Sequence, residues 1–289
     1  MKYQEENENK KKTFFFESNS RSMTIIINAA VVLVIVIIAM VVQLRHLDKQ
    51  EKAGKTIESR AVATETPAAE PEATPEATPA VPRIRKDLDK DKPMVALTFD
   101  DGPYDKVTDR LVKTLAENDS RATFFAMGNR TERYADAMKN AFDHGNQIAT
   151  HTYDHKDLAS LKKSGIRKEL DRSARLTKKV IGRKPSMLRP PYGSVNDTVR
   201  QTVNMPMVNW NVDTEDWKSK NKKAILQKCK SIEDGDIVLM HDLYPTTADA
   251  MEILIPRMRK KGFQLVTVEE LFYYKGIKVE KGKVYYSGK

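Results

Sequence analysis

Residues 94–103 read MVALTFDDGP, an apolar run that ends in two carboxylates and a Gly-Pro turn. Within the run Met94–Phe99 only Thr98 is polar. A short apolar run that is bounded by turn residues is typical of a buried β-strand. The stretch therefore predicts a buried strand, with Asp100 and Asp101 placed where that strand ends.

The same alternation of apolar runs and amphipathic stretches continues to residue 274. Further strands are predicted at 122–126, 147–150, 187–189, 207–212, 237–240 and 264–268. Helices are predicted at 105–117, 130–142, 166–181, 222–231, 247–260 and 268–274, with one more between the strands at 187–189 and 207–212. Alternating strands and helices imply an α/β protein with a parallel sheet. About seven repeats in roughly 190 residues favour a small barrel, although this spacing also allows an open sheet. The tail, 275–289, is predicted to form a hairpin around Lys281-Gly282.

The first predicted strand ends in two neighbouring carboxylates, Asp100 and Asp101. Two ionised carboxylates in one cleft repel each other, and their pairing is easier to explain if a cation binds one of them. The simpler alternative is an Asp-Gly-Pro turn, which commonly follows a strand. This stretch alone leaves both interpretations open.

His151 and His155 follow the predicted strand at 147–150 and are two of only five histidines in the chain. Residues four apart face the same side of a helical turn, which is a suitable arrangement for holding one metal ion. Together with Asp101 they form a set of two imidazoles and one carboxylate. Such a set suits zinc and similar divalent ions and leaves a coordination position for water. The alternative is two unrelated surface histidines.

Three more predicted strands end in polar clusters. Two prolines follow Arg189, and their fixed backbone would hold Arg189 and the amide of Tyr192 in place. Asp213 and Trp217 follow the next strand, and His241 ends the strand after that. Taken singly, the cluster at Arg189 is better explained as a proline-rich turn, and a lone histidine at a strand end is more often structural than catalytic.

The five clusters together resemble the NodB-type polysaccharide deacetylases, carbohydrate esterase family 4. The motifs of that family are TFDDGP, H[ST]xxH, RxPY, DxxDW and LxH, and this chain carries them in the same order at 98–103, 151–155, 189–192, 213–217 and 239–241. The resemblance covers roughly residues 90–275 and implies a distorted (β/α) barrel of about seven strands. It also implies a metal-dependent hydrolase that removes acetyl groups from a polysaccharide.

The resemblance assigns a metal centre and a base. Asp101, His151 and His155 would bind a divalent metal, for which Zn²⁺ is expected and Co²⁺, Ni²⁺ and Mn²⁺ are alternatives. Asp100 would be the general base that takes a proton from the attacking water. Arg189 would keep Asp100 ionised and oriented.

The remaining roles concern the leaving group and the substrate. By the same resemblance, His241 would be the general acid that protonates the leaving amine, and Asp213 would pair with His241. The backbone N–H of Tyr192 would stabilise the oxyanion, and its ring would lie at the substrate. Trp217 and Leu239 would form the apolar groove for the acetyl methyl group.

An apolar segment at 24–43 precedes the predicted catalytic part. No charged residue lies between Arg21 and Arg45, and about 20 apolar residues are enough to cross a bilayer as a helix. A cleaved signal peptide is the alternative, but its apolar core is shorter and ends in a small-residue cleavage site. We therefore expect an uncleaved signal anchor. Charge does not decide its orientation, since 1–21 and 45–60 each hold five Lys or Arg.

The residues around this segment complete the predicted domain organisation. Residues 1–23 would be cytoplasmic, and 44–82 would be a juxtamembrane segment and a disordered linker. The linker carries the Pro-, Glu-, Ala- and Thr-rich run ATETPAAEPEATPEATPAVP at 63–82, which can bury little. Residues 83–275 would be the catalytic domain and 276–289 the tail. The arrangement resembles membrane-anchored peptidoglycan N-acetylglucosamine deacetylases, and it predicts a single-pass cell-membrane protein with an extracellular catalytic domain.

Composition limits the partners and leaves other functions open. The net charge of +10 suggests anionic surroundings, but no nucleic-acid-binding motif is present. The single cysteine, Cys229, excludes an intrachain disulfide and a Cys-rich metal site. The expected partners are a cell-wall polysaccharide and, through 24–43, the membrane; no obligate protein partner is evident. A deacetylase of chitin oligomers, exopolysaccharide or xylan, a non-catalytic glycan-binding module and a membrane scaffolding protein remain alternatives.

Overall fold

The computed structural model describes residues 84–289. The predicted cytoplasmic segment, the membrane anchor at 24–43 and the linker at 63–82 all lie outside these residues. Within the described part of the chain, no helix has the length and apolar character needed to cross a membrane.

Strands and helices alternate along the described chain, as predicted. The strands are β1 (Met94–Asp100), β2 (Thr123–Ala126), β3 (Gln147–Thr150), β4 (Met207–Val208), β5 (Val212–Asp213), β6 (Ile237–His241), β7 (Gln264–Val266) and β8 (Val284–Tyr285). The α-helices are α1 (Asp105–Glu117), α2 (Gly128–Thr131), α3 (Ala135–Asp143), α4 (Lys163–Ile181), α5 (Asp197–Thr202), α6 (Asp216–Ser219), α7 (Lys222–Lys228), α8 (Pro245–Lys260) and α9 (Val268–Tyr274). Short 3₁₀ turns lie at Leu158–Ser160, Pro191–Gly193 and Cys229–Ser231.

All strand pairs in the described residues are parallel, which places the protein in the α/β class. The main sheet has the order β3-β2-β1-β6-β5, and β7 pairs with the first half of β1. Leu188 forms single bridges to β3 on one side and to β4 on the other. Because β4 also pairs with β8, the strand series extends from β5 at one end to β8 at the other.

The strand series curls as a barrel does. Leu188 is three strand spacings from β1, which is roughly 14 Å along a flat sheet. Yet the neighbouring Arg189 donates hydrogen bonds to Thr98 and Asp100 of β1, at 2.7 and 2.8 Å. One side chain spans this gap only if the sheet bends back on itself. No pairing among the described strands joins β5 to β8, so the ring is incomplete, in agreement with a distorted barrel.

The side chains of β1 alternate between two apolar cores, one on each face of the sheet. Val95, Leu97 and Phe99 pack in a core with residues of the surrounding helices, while Met94 and Ala96 belong to a second core inside the curled sheet. Successive side chains of a strand point to opposite faces. Thr98 and Asp100 therefore continue the inner row, which changes from apolar to polar at the C-terminal end of β1.

Three predicted elements differ most in extent from the observed ones. The strand predicted at 187–189 is reduced to the bridges of Leu188. The strand predicted at 207–212 is divided into two short strands. The backbone N–H of Asn209 donates to the carbonyl oxygen of Tyr285 in β8, whereas the backbone N–H of Asn211 donates to the carbonyl oxygen of Ile237 in β6. The chain changes neighbours between these two residues. The helix predicted at 130–142 is likewise divided into α2 and α3.

The predicted hairpin in the tail is wrong. The described residues 275–289 contain one strand, β8, which pairs in parallel with β4. The ring of Tyr285 in β8 packs against Phe272, with the ring centroids 5.3 Å apart. An edge strand such as β4 offers unpaired backbone groups, and the tail satisfies them. The tail therefore extends the strand series of the catalytic part instead of following it as a separate hairpin.

Candidate active site

The turn after β1 brings the two aspartates to the open end of the curled sheet. Asp101 has φ 71°, a left-handed conformation that aspartate tolerates better than most residues. Gly102 then lies directly against the carboxylate of Asp242, since a Cβ at Gly102 would fall 2.0 Å from Asp242 Oδ2. The turn therefore requires glycine at this position, and it directs Asp100 and Asp101 to different partners.

The structure brings the three predicted metal ligands together. Asp101 Oδ1 lies 3.6 Å from His151 Nε2 and 3.4 Å from His155 Nε2. One ligand atom from each residue lies within 4.8 Å of the other two. Asp101 Oδ1 is buried and accepts no hydrogen bond. A buried carboxylate oxygen without a donor is unfavourable, so an ion bound here would satisfy it. The residues present therefore fit a divalent metal.

His151 is held in the form that a metal ligand needs. Its Nδ1 lies 2.7 Å from the carbonyl oxygen of Arg189. A carbonyl can only accept, so Nδ1 carries the proton and Nε2 keeps a free lone pair. Burial, the largest influence, lowers the pKa of His151 to about 3 despite the nearby Asp101 carboxylate. The imidazole is therefore neutral at ordinary pH.

A buried carboxylate outside the predicted motifs fixes the loop between the two histidines. Glu169 of α4 accepts hydrogen bonds at Oε2 from the backbone N–H groups of Tyr153 and Asp154, at 3.1 and 2.8 Å. In this loop Thr152 has φ 68° and His155 has φ 58°, conformations that non-glycine residues seldom adopt. Glu169 therefore stabilises a strained backbone that presents His155.

Replacing Glu169 with Ala is expected to weaken zinc binding about 10- to 100-fold, the range found when residues behind metal ligands are removed. The backbone N–H groups of Tyr153 and Asp154 would lose their acceptor, and the strained loop would relax. Glu169→Gln keeps an acceptor oxygen and should lose less affinity than Glu169→Ala. Competition with a chromophoric chelator would measure the zinc dissociation constants.

The matched control for this prediction is Glu132→Ala, which removes an exposed glutamate that pairs with Lys179 at 3.0 Å. Its zinc affinity should equal that of the unchanged protein. Equal zinc affinity in Glu169→Ala, in a sample that melts as the unchanged protein does, would show that Glu169 does not support the loop.

Asp100 and Arg189 form a buried pair beside the metal ligands. Arg189 Nη1 donates to Asp100 Oδ1 at 2.8 Å, and both side chains are almost fully buried. Arg189 also donates to the carbonyl oxygens of Val208 and Asn209. Burial raises the pKa of Asp100, and the charge and hydrogen bond of Arg189 oppose that rise. Asp100 is therefore a stronger base than an exposed aspartate, and Arg189 fixes its orientation.

The partner of His241 differs from the prediction. The carboxylate at His241 Nδ1 belongs to Asp216, whose Oδ1 lies at 2.8 Å, and not to Asp213. Strand register explains the difference. Asp213 pairs with Leu239, so His241 lies two residues further along the sheet, at the level where α6 begins. Asp213 instead accepts a hydrogen bond from the backbone of Glu215 at 2.8 Å.

Asp216 is fully buried and keeps His241 cationic. It also accepts from Thr247 Oγ1 at 2.7 Å and from the backbone N–H of His241 at 2.8 Å, so its position is fixed. Burial, the largest single influence, lowers the pKa of His241, but the hydrogen bond and charge of Asp216, with Asp100 and Asp101 behind it, outweigh burial and raise the pKa to about 9. His241 therefore carries a proton at neutral pH.

Three side chains predicted to bind substrate lie close to these groups, one in a 3₁₀ turn, one in helix α6 and one in strand β6. The ring of Tyr192, 70% exposed, packs edge-on against His155 with the centroids 4.7 Å apart. Trp217 is 48% exposed and directly follows Asp216. Leu239 is buried two residues before His241, so it lies on the same face of β6. The predicted substrate-binding roles of Tyr192, Trp217 and Leu239 stay predictions.

Sequence reasoning missed the roles of two carboxylates. Strand register identifies Asp216, and the sequence alone does not give that register. Glu169 lies in a helix with no distinguishing pattern. Cys229 is buried, and burial raises the pKa of its thiol to about 12. It is therefore an inert packing residue.

Comparison with known proteins agrees with this geometry. The family described as polysaccharide deacetylase matches residues 87–206. A peptidoglycan-N-acetylglucosamine deacetylase of Bacillus cereus is 30% identical over 189 residues, which cover 63% of this chain and 69% of that protein. The chain belongs to the polysaccharide deacetylase family.

Two further proteins are similar to this chain in sequence and structure. The peptidoglycan-N-acetylmuramic acid deacetylase PdaC of Bacillus subtilis is 36% identical over 64% of this chain, and the match spans 40% of PdaC. Its solved structure superimposes with a TM-score of 0.64 at 35% identity, covering 65% of this chain and 94% of that chain. A family 4 acetyl xylan esterase from Clostridium thermocellum, solved with a cobalt ion, has a TM-score of 0.64 at 29% identity, covering 67% of this chain and 98% of that chain.

Proposed function

We propose that this protein hydrolyses the N-acetyl group of N-acetylglucosamine residues in peptidoglycan, with a divalent metal, and releases acetate. One observation carries the proposal. Asp100 and His241 are register partners on the neighbouring strands β1 and β6, and the group Asp101, His151 and His155 lies beside them. A base, an acid and a metal-ligand set thus converge where an amide could bind.

Amide hydrolysis requires proton removal from a water molecule and proton delivery to an amine. Asp100 would accept the proton of the water, since it is buried beside the metal ligands and held by Arg189. Its raised pKa makes it an effective base. The backbone N–H of Tyr192 would donate a hydrogen bond to the oxygen that becomes negative, a contribution of roughly 3–4 kcal/mol for one such donor.

The second proton transfer falls to His241. An amine leaves poorly unless it is protonated, and His241 carries a proton because Asp216 raises its pKa to about 9. Asp216 also fixes the proton on Nδ1, so that Nε2–H faces away from Asp216 and can reach a substrate. The structural pairing favours Asp216 over Asp213 for this positioning role.

The metal would be held by Asp101 Oδ1 and by the Nε2 atoms of His151 and His155. Bound there, a divalent ion would polarise the acetyl carbonyl and lower the pKa of water. We propose Zn²⁺, with Co²⁺, Ni²⁺ and Mn²⁺ as alternatives, because this donor set tolerates several divalent ions. The related acetyl xylan esterase was solved with cobalt.

The choice of peptidoglycan rests on the relatives. Two matched proteins are named for peptidoglycan, one for its N-acetylglucosamine and one for its N-acetylmuramic acid residues. The exposed rings of Tyr192 and Trp217 offer faces on which sugars can stack. Xylan, named for the related esterase, and chitin oligomers are the competing substrates.

We also propose that residues 24–43 anchor the protein in the cell membrane as a single span, with the catalytic part outside. The support is the uncharged apolar run between Arg21 and Arg45 and the proline-rich linker that follows. An extracellular position would bring the catalytic part to its polymer substrate.

The proposal predicts that the full chain releases acetate from purified peptidoglycan when Zn²⁺ is supplied. Chelation with EDTA should abolish the release, and added Zn²⁺ should restore it, because the three ligands cannot polarise the carbonyl without the ion. Enzymatic acetate measurement, with mass spectrometry of the sugars, would show which sugar loses the group.

Other outcomes would select among the competing functions. Release from xylan or chitin oligomers but not from peptidoglycan would keep the chemistry and change the substrate. Glycan binding without release from any acetylated polymer, in metal-loaded protein, would contradict the enzymatic proposal and support a non-catalytic glycan-binding module.

A further inference from the structure

A second concave surface lies between α7 and α8, and none of its lining residues belongs to the candidate active site. We call it the α7–α8 groove; it has a volume of about 670 Å³. Leu226, Cys229, Ile232, Leu254, Met258 and Phe263 form its apolar part. Leu226 and Phe263 are only partly buried, so the floor of the groove presents apolar surface to solvent.

The walls of this groove carry charge of one sign. Lys223 and Lys230 lie on the α7 side, and Arg257, Lys260 and Lys261 lie on the α8 side. All five side chains are exposed, and no Asp or Glu is among the lining residues. In the part of the chain that the structure describes, none of the five forms an ion pair, although other exposed lysines, such as Lys179 and Lys228, do.

Five unpaired cations around an apolar floor cost stability through mutual repulsion and solvent-exposed apolar surface. A ligand with the complementary pattern would remove both costs. The concave shape suits a convex apolar ridge, and the cations on both walls suit negative charge on both flanks of that ridge. A lipid molecule carries its charge at one end, whereas an amphipathic helix carries polar residues along both edges of its apolar stripe.

We propose that the α7–α8 groove docks an acidic amphipathic helix of a partner protein. Its apolar residues would lie on Leu226 and Phe263, and its carboxylates would face the cations of both walls. This is the helix-in-groove mode of recognition, in which apolar anchors at helical spacing supply affinity and flanking charges supply specificity. None of the lining residues of the groove belongs to the candidate active site, so the docking proposal does not depend on the proposed function.

A synthetic peptide tests this proposal with the full chain. The peptide should have about 20 residues, enough to form a helix alone, with a leucine stripe flanked on both sides by glutamate. Fluorescence anisotropy should show saturable binding that weakens as salt is raised. Hydrogen exchange should show slower exchange of α7 and α8 amides when the peptide is bound.

The double change Arg257→Glu with Lys260→Glu should weaken peptide binding at least tenfold, because it places two carboxylates on one wall. The matched control is Arg175→Glu with Lys178→Glu, which reverses two exposed cations at the same spacing on α4. Leu226→Ala should also weaken binding, and a peptide with lysine in place of glutamate should not bind.

Three outcomes would overturn the proposal. The first is no binding of the glutamate peptide. The second is equal weakening by the α4 control, which would show attraction to net charge alone. The third is groove-dependent binding to vesicles of phosphatidylglycerol, compared with phosphatidylcholine, without peptide binding, which would identify a lipid surface as the ligand. Acetate release should be unchanged in both double variants.

Discussion

Asp100→Asn is expected to lower acetate release about 10²- to 10⁴-fold, the usual contribution of a general base. Asparagine keeps the shape of the side chain and still accepts a hydrogen bond from Arg189, which lies 2.8 Å from the carboxylate, but it cannot take a proton. Because Asp100 is not among the three grouped metal ligands, zinc affinity should change much less than turnover. Acetate release and zinc titration on the same samples would measure both effects.

The change also leaves the buried Arg189 without a charged partner, so some loss of stability is expected. Asp249→Asn is the control, since it removes an Arg–carboxylate pair on the surface, where Arg110 lies 2.7 Å away. That variant should keep its activity. Turnover within a few-fold of the unchanged protein in Asp100→Asn, with zinc bound, would contradict the assignment of Asp100 as the base.

Asp216→Asn is expected to reduce activity about 10²- to 10⁴-fold by weakening the general acid. His241 owes its raised pKa, about 9, to the hydrogen bond and charge of Asp216, with smaller contributions from Asp100 and Asp101. A group with a raised pKa is protonated below that value and loses its proton as the pH rises through it. Activity of the unchanged protein should therefore fall as the pH rises through about 9, whereas in Asp216→Asn the fall should begin at lower pH.

Asp213→Asn is the matched control because Asp213 contacts a backbone N–H in its own turn and not His241. It should keep the alkaline limb of the pH profile in place. If the alkaline fall in activity moved to lower pH in Asp213→Asn but not in Asp216→Asn, Asp213 and not Asp216 would be the partner of His241. Since Asp216 is fully buried, its variant must also be checked by thermal melting.

The chemical groups of the candidate site were predictable because each directly follows an apolar run. In a parallel sheet the carboxyl ends of the strands meet at one edge, so residues far apart in sequence converge there. Asp100, His151, Arg189 and His241 were placed in this way, and the structure brings them together. The helix Asp105–Glu117 was predicted to the residue, since its apolar spacing is local information.

The partners of these groups were less accessible from the sequence. The carboxylate beside His241 depends on the register between β5 and β6 and on Glu215, which adopts φ 51° before α6 begins. A different register, or a different backbone conformation at Glu215, would place another side chain beside His241 without any change in the amino-acid sequence of the motif. The motif DxxDW contains two aspartates, and the resemblance was used to assign the pairing to Asp213. Only the register distinguishes Asp216 from Asp213.

The sequence by itself predicted the parallel α/β arrangement and the residues that could bind a metal, because these follow from residue type and short-range periodicity. The class of chemistry was implied by the resemblance of the five ordered motifs to a known family. The tertiary structure decided that Asp216 pairs with His241, that Glu169 supports the histidine loop and that the tail adds strand β8. It also created the basic walls and apolar floor of the α7–α8 groove. These features depend on contacts between segments tens to hundreds of residues apart, whose geometry is set by packing and strand register and not by local propensity.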